Sequence, residues 1–198
     1  KHAWFRTYQW IMKIATNFLD FIPPELIDGP GSISRLPGFI KSKGITNVLV
    51  VTDKGLMGLK LLDGLFAALK AEGIAYTLYD GVQPNPTIPN IEESYSLYKG
   101  NGCKGIIAFG GGSSMDCAKA TGARAANPGK SVPKMRGLLK VGRKLPPLFA
   151  VPTTAGTGSE TTLAAVITDP STHEKYALND PKLIPPYAVL DPELTVKL

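Results

Sequence analysis

Histidine and cysteine are scarce in this 198-residue chain, two of each, and their placement removes several kinds of chemistry. Cys103 and Cys117 make no disulfide framework and stand in no metal-type CxxC spacing, so a reducing, cytoplasmic compartment is expected. His2 is next to the first residue and His173 falls in a predicted turn; neither has the i, i+4 partner that a helical metal site uses. No histidine lies near the serines of the glycine-rich turn to act as a base, and there is no Gly-x-Ser-x-Gly elbow or Gly-x-x-x-x-Gly-Lys-Ser/Thr loop. Serine-hydrolase and P-loop chemistry are therefore not expected. No apolar run approaches the ~18 residues of a membrane span, because Arg6 and Lys13 interrupt the first one, and the opening does not resemble a signal peptide. Acidic residues are missing from residues 130–144, where Lys130, Lys134, Arg136, Lys140, Arg143 and Lys144 supply much of the net charge of +6. That segment has neither interleaved aromatics nor a recognisable module, so it reads as solvated surface and no nucleic-acid partner is expected.

What is present is an ordinary globular balance, 43% hydrophobic and 19% charged, which excludes a disordered chain. The length suits one well-buried domain with an extension. From Trp4 to Ile22 the apolar residues step by three and four, the pattern of an amphipathic helix that stops before Pro23-Pro24. Its apolar stripe could pack on its own domain, on a neighbour, in a dimer or at a membrane surface. A short strand at Leu26-Ile27-Asp28 follows, then a helix from Ser32 to about Ser42, closed by Gly44. Asn47 to Val51 is a strand leading to Asp53 and to a helix that buries Leu59, Leu62, Leu65, Phe66 and Leu69. Tyr76 to Tyr79 is the next strand; a Pro-rich loop through Asn85 then precedes a helix from about Pro89 to Gly100. Lys104 to Phe109 and Leu148 to Val151 are further strands, and residues 163–168 and 175–178 pair as a β-hairpin near the C-terminal end.

This β-α alternation predicts an α/β fold, a Rossmann-like parallel sheet flanked by helices, with ligands at the carboxyl ends of its strands. Asp53, Asn85 and the turn Gly110-Gly111-Gly112-Ser113 all converge on that edge. The turn joins a strand to an Ala-rich helix, where glycines let a ligand approach the backbone, Ser113 can cap the helix, and the first N–H groups favour a phosphate. A tight turn needing glycine for its dihedrals alone would read the same way. Asp53 could take the hydroxyls of an adenosine ribose and repel a 2′-phosphate, favouring NAD over NADP, or could simply begin the helix. From pattern alone the chain is a nucleotide or dinucleotide binder.

The strings Val51-Thr52-Asp53, Pro84-Asn85-Pro86-Thr87, Gly110-Gly111-Gly112-Ser113 with Asp116, Val151 to Glu160, and Leu190-Asp191-Pro192 together resemble the iron-containing (group III) alcohol dehydrogenase family. They run in that family's order over about residues 25 to 198. The resemblance implies residues 25–198 as the NAD-binding half and residues 1–24 as an extension outside it. It implies a cofactor, NAD in preference to NADP, a divalent metal (iron or zinc) in the intact enzyme, a small alcohol or aldehyde substrate and a homo-oligomer. Carried over by motif, Asp53 would bind the adenosine ribose, Asn85 would line the adenosine side, and Gly111, Gly112 and Ser113 would hold the pyrophosphate. Asp116 belongs to the same loop, Thr153, Thr154 and Thr162 would line the cleft, and Lys175 would reach the nicotinamide-side ribose. The family's metal ligands, an Asp and three His, follow the Leu-Asp-Pro segment, so no metal or catalytic residue is expected before Leu198 and the chain alone should be inactive. A non-catalytic nucleotide-binding or oligomerisation module is the alternative.

Overall fold

Strands buried on both faces read as nearly unbroken apolar runs, and four such runs build the centre of this protein. The structure is a computed structural model that describes residues 22–196 together with Arg6 and Trp10. Apart from Arg6, Trp10 and Ile22, the amphipathic helix expected over Trp4 to Ile22 therefore lies outside the described residues. The strands are β1 (Glu25–Asp28), β2 (Asn47–Val51), β3 (Ala75–Tyr79), β4 (Gly105–Gly110), β5 (Gly137–Leu138), β6 (Leu148–Pro152), β7 (Ala164–Asp169), β8 (Glu174–Asn179) and β9 (Tyr187–Leu190). Six of them form one sheet in the order β1-β9-β6-β4-β2-β3, every neighbouring pair parallel. The helices are α1 (Leu36–Ser42), α2 (Lys54–Gly58), α3 (Asp63–Ala71), α4 (Ile88–Gly100), α5 (Gly112–Ala126) and α6 (Pro192–Thr195).

Alternation along each strand divides the core in two. Leu49, Val51, Ile106, Ala108, Leu148 and Ala150 face one side with Met115, Ala118 and Ile91 from α5 and α4. Val48, Val50, Ile107, Phe109, Phe149 and Val151 face the other, against Leu36, Ile40, Leu65 and Leu69 from α1 and α3. The expected α/β sheet is therefore present, and so is the hairpin: β7 and β8 pair antiparallel, with β5 added to β8 in parallel. Among the described residues no helix is long and apolar enough to cross a membrane.

Three features differ from the expectation. The helix after Asp53 is two helices, with Lys60 between them at φ 57. Gly55 and Gly58 weaken the first stretch, the chain turns, and Leu59 points outward while Leu62 restarts the buried face. Phe66, expected inside, is partly buried and stacks on Tyr76 of the edge strand at 4.6 Å. Finally β9, which carried no expectation, inserts between β1 and β6, so the first strand of the chain lies at the edge opposite β3.

Candidate functional site

After β2 the chain runs out to β3 at the edge, then returns to β4 on the other side of β2 and continues to β6. Loops leaving β2 and β4 therefore part in opposite directions, and an open crevice forms where they separate. It is a cleft of about 690 Å³ lined by Asp53, Asp80, Gly111, Ser113, Thr153 and Thr154 among others, all beyond the carboxyl ends of β2, β3, β4 and β6.

The floor of the cleft is the turn from β4 into α5. Gly110 has φ 142, and a Cβ there would lie 2.5 Å from Ser114 Oγ and 3.1 Å from Leu56 Cδ1. Only glycine fits, for dihedral and steric reasons together. Gly111 has an ordinary φ of −82 and is the N-cap of α5; a Cβ on it would meet Thr154 Oγ1 at 3.0 Å. No side chain caps the helix. Ser113, expected as the cap, instead accepts the backbone N–H of Asn85 at 3.2 Å. The first backbone acceptor taken inside the turn is Gly111 O, by Met115 N–H at 3.1 Å. Among the described residues, the N–H groups of Gly112, Ser113 and Ser114 therefore meet no protein acceptor, and they carry the positive end of a 15-residue helix.

Asp53 begins α2 and also stands at the cleft. Its Oδ1 accepts Leu56 N–H at 3.0 Å and caps α2, and the residue is among those lining the cleft. Thr153 is buried there, its N–H given to Gly110 O at 3.0 Å, and Thr154 is exposed beside it. Asn85 adopts φ 57 just outside the lining, joined to it through Ser113. The structure thus brings together Asp53, Gly111, Gly112, Ser113, Thr153 and Thr154, with Asn85 at the rim.

Asp116, Thr162 and Lys175 are not among the residues lining the cleft. Asp116 is on the second turn of α5, where Oδ2 accepts Val166 N–H at 3.1 Å; burial raises its pKa, opposed by that hydrogen bond and by Lys119. Thr162 gives its carbonyl and hydroxyl oxygens to Lys119 Nζ at 2.7 and 2.9 Å. Lys175 is exposed on β8 opposite Thr168, which itself bridges to Thr87 and donates its N–H to Pro86 O at 2.9 Å. The hairpin is thereby laid against the Asn85 loop, with Lys175 on the adjacent strand.

Two residues with no assigned role emerge from the geometry. Asp80, just after β3, is a second acidic residue lining the cleft. Lys119 is fully buried in α5, and burial lowers its pKa to about 8 against the attraction of Asp116 and Glu160. Its sequence signal was a lone lysine among Cys117, Ala118 and Ala120, three residues after an acid. Cys117 beside it is no nucleophile, since burial pushes its thiol up to about 12.

The model of the family described as iron-containing alcohol dehydrogenase matches residues 23–192. The chain belongs to this family. Alcohol dehydrogenase 4 of Schizosaccharomyces pombe is 39% identical over 173 residues, covering 87% of this chain and 41% of that protein. NAD-dependent methanol dehydrogenase of Bacillus methanolicus is 37% identical over 182 residues, 92% of this chain and 47% of that protein. The solved alcohol dehydrogenase from Oenococcus oeni superposes with a TM-score of 0.86 at 40% identity, over 91% of this chain and 48% of its own. The chain thus spans about half the length of the relatives it matches. The family implies a divalent metal, yet among the described residues no group of three or more His, Cys, Asp or Glu could hold one. No catalytic step is therefore assigned to a metal on these residues.

Proposed function

We infer that this chain is the dinucleotide-binding half of an NAD-dependent alcohol dehydrogenase whose whole enzyme moves hydride between an alcohol and NAD, giving an aldehyde or ketone. The observation that carries this reading is the cleft at the parting of β2 and β4, where three N–H groups without protein acceptors face the same space as the Asp53 carboxylate. In it the pyrophosphate sits on Gly112, Ser113 and Ser114, within reach of the Thr153 and Thr154 hydroxyls. Asp53 keeps an oxygen beyond its capping bond for the ribose hydroxyls, and its charge disfavours a 2′-phosphate. Asn85 closes the adenosine side, and Lys175 approaches from the hairpin. Asp116 and Thr162 act behind the cleft, through Val166 and Lys119. The chemistry of alcohol oxidation needs, besides this half, the metal-holding residues that the family implies.

The test is a titration of the purified chain with NADH and, separately, NADPH, followed by nicotinamide fluorescence, with Asp53→Gly alongside. NADH should saturate and bind at least about tenfold tighter than NADPH, a difference of about 1.4 kcal/mol. Asp53→Gly should narrow that gap, and because glycine is tolerated at an N-cap the fold should lose only a few tenths of a kcal/mol. Absence of saturable binding, or a preference untouched by Asp53→Gly, would overturn the reading.

A further inference from the structure

The helix that offers its N-terminus to the cleft also grips, two turns further on, the loop that covers that N-terminus. Lys119 Nζ donates to Thr162 O at 2.7 Å, Thr162 Oγ1 at 2.9 Å and Ala164 O at 3.0 Å. An ammonium has three N–H bonds, and here all three are taken by the far root of the loop that leaves β6 at Thr153. One turn earlier on the same helix, Asp116 takes the N–H of Val166. Residues 162, 164 and 166 are thus fixed in succession to α5. The near part of the loop rests on the turn itself: Thr154 Oγ1 lies 3.0 Å from where a Gly111 Cβ would be, and Ser159 Oγ lies 3.3 Å from that of Gly112.

We propose that Lys119 is a positioning residue that latches the loop of residues 153–162 onto α5, holding the Thr154 and Ser159 hydroxyls against the glycine turn before any ligand arrives. A buried cation is costly, and a lysine kept solely for packing would be matched by a methionine of similar length. Lys119 has instead a full set of acceptors on one segment, and that segment is the wall of the cleft. The ligand served by this latch is the dinucleotide of the proposed function, so the inference rests on that reading for its purpose, although not for its geometry.

The charged groups facing Lys119 are Asp116 on its own helix and Glu160 in the loop.

The experiment is amide hydrogen exchange on the full chain without ligand, comparing peptides of residues 153–165 with peptides of β2 and β4 in the same sample. In Lys119→Met the loop amides should exchange at least tenfold faster while the two core strands keep their protection. Lys119→Arg, which restores charge and donors, should recover part of the loss. NADH should bind Lys119→Met at least fivefold more weakly. Loop protection unchanged in Lys119→Met, or lost equally with that of β2 and β4, would overturn the latch. If Lys119→Met does not fold, Lys119→Gln takes its place under the same criteria. A wild type that ignores NADH sinks the proposed function and leaves the exchange result standing by itself.

Discussion

A methyl group at Gly110 would need to share space with Ser114 Oγ and Leu56 Cδ1 on a backbone of φ 142, whereas at Gly111 it would meet one rotatable hydroxyl on ordinary backbone. The two neighbours should therefore respond differently to alanine. Gly110→Ala is expected to cost about 2–3 kcal/mol, read as a fall in Tm, from strain and overpacking together. Gly111→Ala should change stability by less than about 1 kcal/mol, yet on the proposed function weaken NADH binding about tenfold, since that reading brings the pyrophosphate against this turn. Equal losses of stability in both would mean that the turn is structural throughout. At this scale the sequence was informative where a residue's need is intrinsic: three adjacent glycines, and an acid closing a strand. It misled where a need depends on neighbours. Ser113 looks like a cap and instead accepts the N–H of Asn85.

Among the elements, α4 shows how firmly a short local signal can set a boundary. Thr87 Oγ1 accepts Asn90 N–H at 3.4 Å and Asn90 Oδ1 accepts Thr87 N–H at 3.0 Å, a reciprocal cap, while Asn90 Nδ2 reaches Gly81 O at 3.1 Å. Thr87 also bridges to Thr168, so the start of α4 is shared between the sheet and the hairpin. Thr87→Ala should cost about 1 kcal/mol in denaturant unfolding, and Thr87→Ser markedly less. Strands and helices bounded in this way by caps, Gly and Pro were legible as runs of the right period. β9 was not, because Tyr187–Leu190 is short, follows two prolines and carries no alternation of its own. Its identity as a strand comes from its neighbours, Phe149 and Ala150 on one side and all of β1 on the other. Likewise the break at Lys60 is only faintly marked: Gly55 and Gly58 weaken the stretch before it, but the apolar period continues through.

For the molecule as a whole, the sheet is closed by a contact between residues far apart in the chain. Asp191, buried after β9, accepts the N–H groups of Gly31 and Ile33 at 3.1 Å each and that of Glu193 at 3.1 Å. Removing the carboxylate strands three partly buried donors, so Asp191→Ala is expected to cost about 3 kcal/mol. At roughly 2–4 °C per kcal/mol for a chain of this size, Tm should fall by about 6–12 °C. Asp191→Asn, which keeps one acceptor oxygen, should lose less than half of that, and equal falls would show that charge rather than hydrogen bonding is at stake. The six-strand order was only partly legible for the same reason. Alternation indicated a parallel sheet, but placing β1 at the far edge needs the pairing Glu25 with Tyr187 through Asp28 with Leu190, which no local pattern records. That pairing also sets a timetable during synthesis. β1 emerges from the ribosome with Leu26 exposed, and its one neighbour in the sheet among the described residues, β9, is made about 160 residues later. At 5–20 residues per second the wait is roughly 8–32 seconds, and over its last stretch, once β6 (Leu148–Pro152) has been made, the edge of β6 stands uncovered as well, so the half-made chain is the form of this protein with most reason to meet a chaperone.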